Sequence, residues 1–525
     1  MSQDSVLIGK NIIEILTTGM YRDPLVIYRE YIQNSVDAIN SATSSGLLED
    51  SRAGDVQVFI DKPHRKITIE DNGAGIPAEK AWSMLTSIAA SDKDRTKNLG
   101  FRGIGRLAGL AYCNELIIET SFDGENCKTV LSWDSVKLKE ILSDRENKQL
   151  ASEVISDIAS IKKVPGEEPS KHFFKVTLSD VTNDKLLDAE DVECYLSIVA
   201  PIAFQPRKFL FYNEINQGFV DRGVDVKCYR VFVNTKELFK PYTTNIYQSD
   251  GDNRKRIDEL IDYNFFELSS KSGKLLAVAW VGITKNLQLI PVFNEAMGIR
   301  FRKGNIQVGD VYTFQRFFKD QRFHRYFVGE IHVTHEDLFP NGQRDYFDEC
   351  QLLTEFENRL ESLTSDLQKL CRVASEYNTN QKKVEECVKE FHAIKKKAED
   401  CEFISPEHEE TERQRLEDLK NKCKKAEERI QKIEERTGDN SDELIQNYVE
   451  FKTKTRTEGA GETVNISCAE FDDKSTKKYK ANKLSQLSKK EQKLVGEIYE
   501  VIRNVLPPDV VNILIYKIEE RFGLN

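Results

Sequence analysis

Between Ile27 and Ile39, apolar Ile27, Tyr31, Ile32, Val36 and Ile39 recur at helical intervals, while Glu30, Asn34 and Asp37 recur at steps of four and three. No other stretch constrains the fold as tightly. The pattern predicts an amphipathic helix with two carboxylates and a carboxamide stacked on one face over two turns. A carboxylate and a carboxamide one turn apart can position a water and a divalent cation. Glu30 is then the candidate general base and Asn34 the hard oxygen ligand.

Two glycine-bearing segments follow. "DNGAGIP" comes directly after the alternating strand "KITIE" (66–70). Gly73 and Gly75 there permit a tight turn and close approach of a flat ring to the backbone. Asp71 is placed to accept from an exocyclic amine. "GFRGIGRLAGL" then brings Gly100, Gly103 and Gly105 to the entry of an apolar helix carrying Leu107 and Leu110. Backbone N–H groups bind phosphate in such places. The three segments lie within 76 residues and read as a nucleotide pocket built without a P-loop. "KSGK" (271–274) lacks the upstream glycine and final Ser/Thr of a Walker A, and His332 and His335 form no HExxH.

In this order the segments resemble the ATP site of the GHKL superfamily (gyrase B, heat-shock chaperone, histidine kinase, MutL). The resemblance implies that Glu30 activates the attacking water and that Asn34 binds a magnesium ion bridging the phosphates. Asp37 would support the pocket, and Asp71 would read the adenine amino group with Gly75 beside the ring. Residues 83–105 resemble an ATP lid, with Lys97 and Arg102 as candidate phosphate contacts beside Gly100, Gly103 and Gly105. Arg29 is a candidate to orient Glu30. One departure stands out. Where the family has the threonine of G-T-x-V, "FFKVTL" has Phe174, and Thr177 is two or three residues away.

A second segment, "EDLFPNGQRDYF" (336–347), is similar to the middle-domain loop D-L-P-L-N-I-S-R-E of the heat-shock chaperone. Asp337, Leu338, Asn341, Arg344 and Asp345 fall on matching chemistry. By that resemblance Arg344 reaches the γ-phosphate as a second catalytic residue, with Arg302 and Lys303 as alternates. A planar cation from another domain offsets phosphate charge.

The length of 525 residues leaves room for several domains. The expected fold is α+β: a GHKL (Bergerat) α/β sandwich over 1–185 and an α/β transducer (S5-like) domain over 186–348. A long coiled-coil hairpin over 349–436, a linker or flexible segment over 437–482 and C-terminal helices over 483–525 complete it. Within these, 136–168 reads as a polar, mostly helical insertion, and 257–263 and 311–323 read as helical. Leu352, Phe356, Leu360, Leu363 and Leu367 give the hairpin its apolar stripe.

The net charge of −11 argues against nonspecific coating of nucleic acid, although clusters such as "KHFFK" and "FRKGN" keep a local basic channel open. No apolar run approaches the roughly 20 residues of a membrane span, and "MSQDSVLIGK" lacks a signal-peptide layout. The ten cysteines contain no CxxC pair, which fits a reducing, cytoplasmic compartment. The resemblance implies an Mg-ATP hydrolase acting as a clamp. Homodimerisation is expected through the ATP domains and the helical C-terminal region. The partner is a protein client or subunit, with nucleic acid, as in antiviral defence, or a nearly non-hydrolysing switch as alternatives.

Overall fold

The computed structural model describes residues 8–17, 23–87, 105–248, 255–399, 406–440, 442–459 and 487–522. They form two compact units, Met1–Gln368 and Lys369–Asn525. Two sheets organise the first unit.

The first sheet has eight strands in the order β5-β4-β3-β6-β2-β1-β7-β8. Helix α1 (Asn11–Thr17) and helix α2 (Val26–Ser44) precede strands β1 (Asp55–Asp61) and β2 (Lys66–Asp71). Then come α3 (Ala81–Thr86), β3 (Glu115–Ser121), β4 (Cys127–Asp134), α4 (Ser135–Ser143), α5 (Ala151–Ile158), β5 (Ala159–Pro165) and β6 (Phe173–Ser179). Strands β7 (Arg230–Val233) and β8 (Lys236–Glu237) close the sheet after α6 (Ala189–Val199) and α7 (Tyr212–Asp221). Ile27, Tyr31, Ile32, Val36 and Ile39 are all buried in one core with Val56, Val58, Ile67, Ile69, Leu116 and Ile118. The periodicities of helix and strand therefore point at each other, which is what makes a sheet–helix layer pack. The "insertion" at 136–168 is corrected in part: its residues 159–165 form edge strand β5 on β4.

The second sheet runs β13-β12-β14-β11-β10-β9. Its strands are β9 (Asn245–Tyr247), β10 (Arg256–Ser269), β11 (Leu275–Thr284), β12 (Gly298–Lys303), β13 (Ile306–Val308) and β14 (Val328–Val333). The helix expected at 257–263 is strand β10, held between β9 and β11. The helix expected at 311–323 is two short 3-10 turns, Gln315–Phe317 and Gln321–Tyr326, under an aromatic cluster around Phe301 and Phe314. Inside this sheet Glu330 is fully buried between Arg302 Nε (2.5 Å) and Lys240 Nζ (2.8 Å). Burial pushes its carboxyl up, but Arg302 and Lys240 outweigh that and hold it well below the usual range. A buried charge stays charged when it is paired this closely.

Helix α8 (Gln351–Glu399) begins in the first unit and ends in the second. In the second unit it pairs antiparallel with α9 (Pro406–Asn440) through Cys387, Phe391, Ile394, Leu416, Leu419 and Cys423. Part of the expected linker is helical instead: α10 (Glu443–Gly459) packs on α9, with Thr453 donating to Glu434 at 2.9 Å. Helices α11 (Lys489–Val505) and α12 (Pro508–Arg521) pack around Tyr499. Among the described residues no helix is long and apolar enough to cross a membrane.

Candidate functional site

Helix α2 starts after Asp23, whose carboxylate accepts from the Leu25 N–H and whose carbonyl accepts from Val26. From there the helix runs unbroken, and Glu30, Asn34 and Asp37 come out on one face as expected. Glu30 and Asp37 are buried (4% and 2% exposed) and Asn34 is half-buried between them. Gly105 lies directly against this face. A Cβ on Gly105 would fall 2.4 Å from Glu30 Oε2. A side chain at Gly105 would displace the Glu30 carboxylate from this position, so the glycine permits the close approach.

Asp71 ends β2 and is 2% exposed, its Oδ1 accepting from the Gly73 N–H at 3.0 Å. The turn that follows is seated on the protein from both sides. Gly75 has φ +68°, and a Cβ there would sit 1.9 Å from the Ser121 carbonyl oxygen. A Cβ on Gly73 would meet Ala38 Cβ of α2 at 2.6 Å. Both glycines therefore let the turn pack between α2 and β3.

Two residues that hold this turn were not anticipated. Thr120 Oγ1 accepts from Ile76 N–H (2.8 Å) and donates to Phe173 O (3.0 Å). His172 Nδ1 lies 2.8 Å from Gly73 O. Thr120 had a readable signal, since it is the polar member of the inward alternation Leu116, Ile118, Thr120. Phe174 lies directly opposite both Asp71 and Thr120 in the ladder. Thr177 instead pairs with Thr68, so it projects from the other face of the sheet.

The loop after β14 delivers a third element. Asn341 and Asp345 exchange side-chain and backbone hydrogen bonds, which folds the segment back on itself. Arg344 takes φ +58° at its tip. Its Nε donates to Glu30 Oε1 at 2.8 Å, and both side chains are less than a tenth exposed. Arg29 joins from α2: its Nε is 3.9 Å from the same oxygen, and its Nη2 donates to Gln343 O at 3.4 Å. Two cations from separate parts of the chain therefore converge on one carboxylate. Arg302 and Lys303 are held elsewhere, Arg302 on Glu330 and Lys303 on the His335 carbonyl. Lys97, Gly100, Arg102 and Gly103 lie outside the described residues, as does most of the expected lid.

A buried acid at the end of a strand, a turn seated on glycines and a polar helix face with a buried carboxylate define a class of nucleotide site. Residues 25–163 match the model of the histidine kinase-, DNA gyrase B- and HSP90-like ATPase family. The chain thus carries a GHKL ATP-binding domain of the heat-shock-chaperone kind. Among curated relatives, the chaperone protein HtpG of Burkholderia lata is 25% identical over 143 residues, covering 24% of this chain and 23% of that protein. HtpG of Albidiferax ferrireducens is 26% identical over 141 residues (24% and 21%). HtpG of Buchnera aphidicola is 27% identical over 143 residues (24% and 23%). The matches span less than a quarter of each relative's length.

Proposed function

We propose that the chain binds ATP with magnesium and hydrolyses it to ADP and phosphate, using the cycle to close and open a clamp that remodels a protein partner. The observation that carries this reading is the Arg344–Glu30 contact, which brings the candidate base and the candidate phosphate-sensing cation into one buried pair. Glu30 would take the proton of the attacking water. Asp71 would accept from the adenine amino group, and Asp37 would brace the pocket.

The donor set fits magnesium. Asn34 and the adjoining carboxylates offer oxygen only, on a rigid helix, as a hard cation held largely by phosphates requires. Bound through Asn34, the ion would neutralise phosphate charge.

With Arg344 donating to Glu30 Oε1, that oxygen is engaged and the carboxylate is less basic, so basal proton abstraction is slow. Transfer of Arg344 from Glu30 to a phosphate frees the base and stabilises charge on the leaving group. Nucleotide binding and base activation are thereby the same event, and the nearly silent switch becomes the low-turnover limit of this mechanism. The chaperone name of the relatives supports a protein client. Dimerisation through α11 is supported by Leu494, Ile498, Val501 and Val505, exposed at steps of four, three and four.

Calorimetric titration with Mg-ATP tests the binding half of the proposal. Micromolar-range binding that is lost in Asn34→Ala is expected; equal binding by Asn34→Ala would remove that residue from the site.

A further inference from the structure

Thr120, Phe174, Asp71 and Val56 form one row across the first sheet. Phe174 in β6 stands opposite Thr120 in β3 on one side and Asp71 in β2 on the other, and Asp71 in turn stands opposite Val56 in β1. Residues directly opposite in an antiparallel ladder share a face of the sheet. Here it is the face covered by α2, since Ile67, Ile69, Leu116 and Ile118 of the same alternation lie in that core. Phe174 packs against the core and yet stays half-exposed.

The glycine turn crosses this row. It leaves β2 at Asp71, and at its far end the Ile76 N–H reaches Thr120 Oγ1 at 2.8 Å. Midway, Gly73 O lies 2.8 Å from Nδ1 of His172, two residues before Phe174. The turn thus spans β6, with Phe174 between its two feet.

Inside the span, Asp71 has apolar neighbours on both sides of the row, Phe174 and the fully buried Val56. The hydroxyls nearby are committed or turned away. Thr120 gives its one proton to Phe173 O at 3.0 Å, and Thr177 pairs with Thr68 on the opposite face.

We infer that Phe174 is a specificity-determining residue of the nucleotide site: it keeps water from bridging Asp71 to a base that lacks an exocyclic amine. The inference rests on the function proposed above. A keto base such as hypoxanthine sets a carbonyl against the carboxylate, two acceptors face to face. In a wet site a water repairs this by donating to both. A confined water typically makes about three hydrogen bonds, and a phenyl ring offers it none. The mismatch then stays unrepaired, and the keto base is rejected. A hydroxyl in place of the ring would give the bridging water its third partner.

The test is calorimetry on the full chain with Mg-ADP and Mg-IDP, which differ in that amine and are not turned over. Wild type is expected to prefer ADP by at least about a hundredfold. Phe174→Thr should lower that preference at least tenfold, whereas Phe174→Leu, which keeps the position apolar, should retain it. Unchanged far-UV circular dichroism reports an intact fold. A smaller preference in wild type overturns the inference without any variant. So does a preference unaltered in Phe174→Thr, or one lowered as far in Phe174→Leu, which would assign the effect to ring shape. In each of these cases ADP still binds and the nucleotide reading stands. Absence of ADP binding to wild type would instead retire the nucleotide reading, and this inference with it.

Discussion

Arg344 donates to Glu30 across 314 residues of sequence, at 2.8 Å and inside the protein. A buried pair is worth most when one partner is removed, because the other is then left charged without compensation. Arg344→Ala is therefore expected to lower the unfolding free energy by about 3 kcal/mol. In a double-mutant cycle with Glu30→Ala, the coupling should reach about 1–3 kcal/mol. Denaturant unfolding of the four proteins measures it, and additive losses would mean that the contact contributes nothing.

Gly75 gives a sharper local test. Its φ of +68° and the Ser121 carbonyl at the site of any Cβ leave no room for alanine. Gly75→Ala should cost roughly 1–3 kcal/mol from backbone strain alone, more with the clash, and should weaken nucleotide binding by shifting Asp71. Gly124, also at positive φ (+87°) but with nothing near its Cβ position, is the control. Gly124→Ala should leave nucleotide affinity unchanged.

Most of this site was legible because short-range periodicity and burial agree. The five apolar residues of α2 are all buried, and Glu30, Asn34 and Asp37 share the face that their spacing predicts. What was illegible depended on distant partners. Ile257, Leu260 and Ile261 mimic a helical stripe, yet pairing with β9 and β11 makes the segment a strand; tertiary context overrides local pattern. Lys162 and Lys163 disguised β5 as a polar insertion, although lysine is what an exposed edge strand carries. In α10, Leu444, Ile445, Tyr448 and Val449 do recur helically, but the surrounding polar composition masked them. The engagement of Glu30 by Arg344, rather than a free base, could not be read from either segment alone.

Acid should destabilise the first unit through His324. The ring is fully buried, accepts from Ile299 N–H at 2.9 Å, and burial pushes its pKa from 6.5 to about 4. Above pH 6.5 both folded and unfolded states are neutral. Between about 6.5 and 4 only the unfolded state takes up a proton, so stability falls with pH, by up to about 3 kcal/mol from this group. Thermal melts from pH 7 to 4 should show the decline, reduced in His324→Gln, whose amide oxygen can accept the same N–H. An identical slope in the variant would assign the acid sensitivity elsewhere, for example to His332, also depressed to about 4 by burial.

The α11 stripe predicts self-association. Ile498 and Val501 are 45% and 61% exposed, an arrangement that heptad-spaced seams cover with a partner helix. Ile498→Asp with Val501→Asp should convert a dimer to monomers in sedimentation, with helix content unchanged. A wild type that sediments as a monomer at high concentration would rule this surface out as the dimer contact.

The central claim is that Glu30 is the base of an ATPase whose activity Arg344 restrains and then assists. The most direct measurement is steady-state phosphate release by Glu30→Ala beside wild type, at ATP concentrations set from each protein's measured affinity. Retained ATP binding with turnover reduced by about 10²–10⁴ is predicted. Turnover by Glu30→Ala equal to that of wild type would contradict the account.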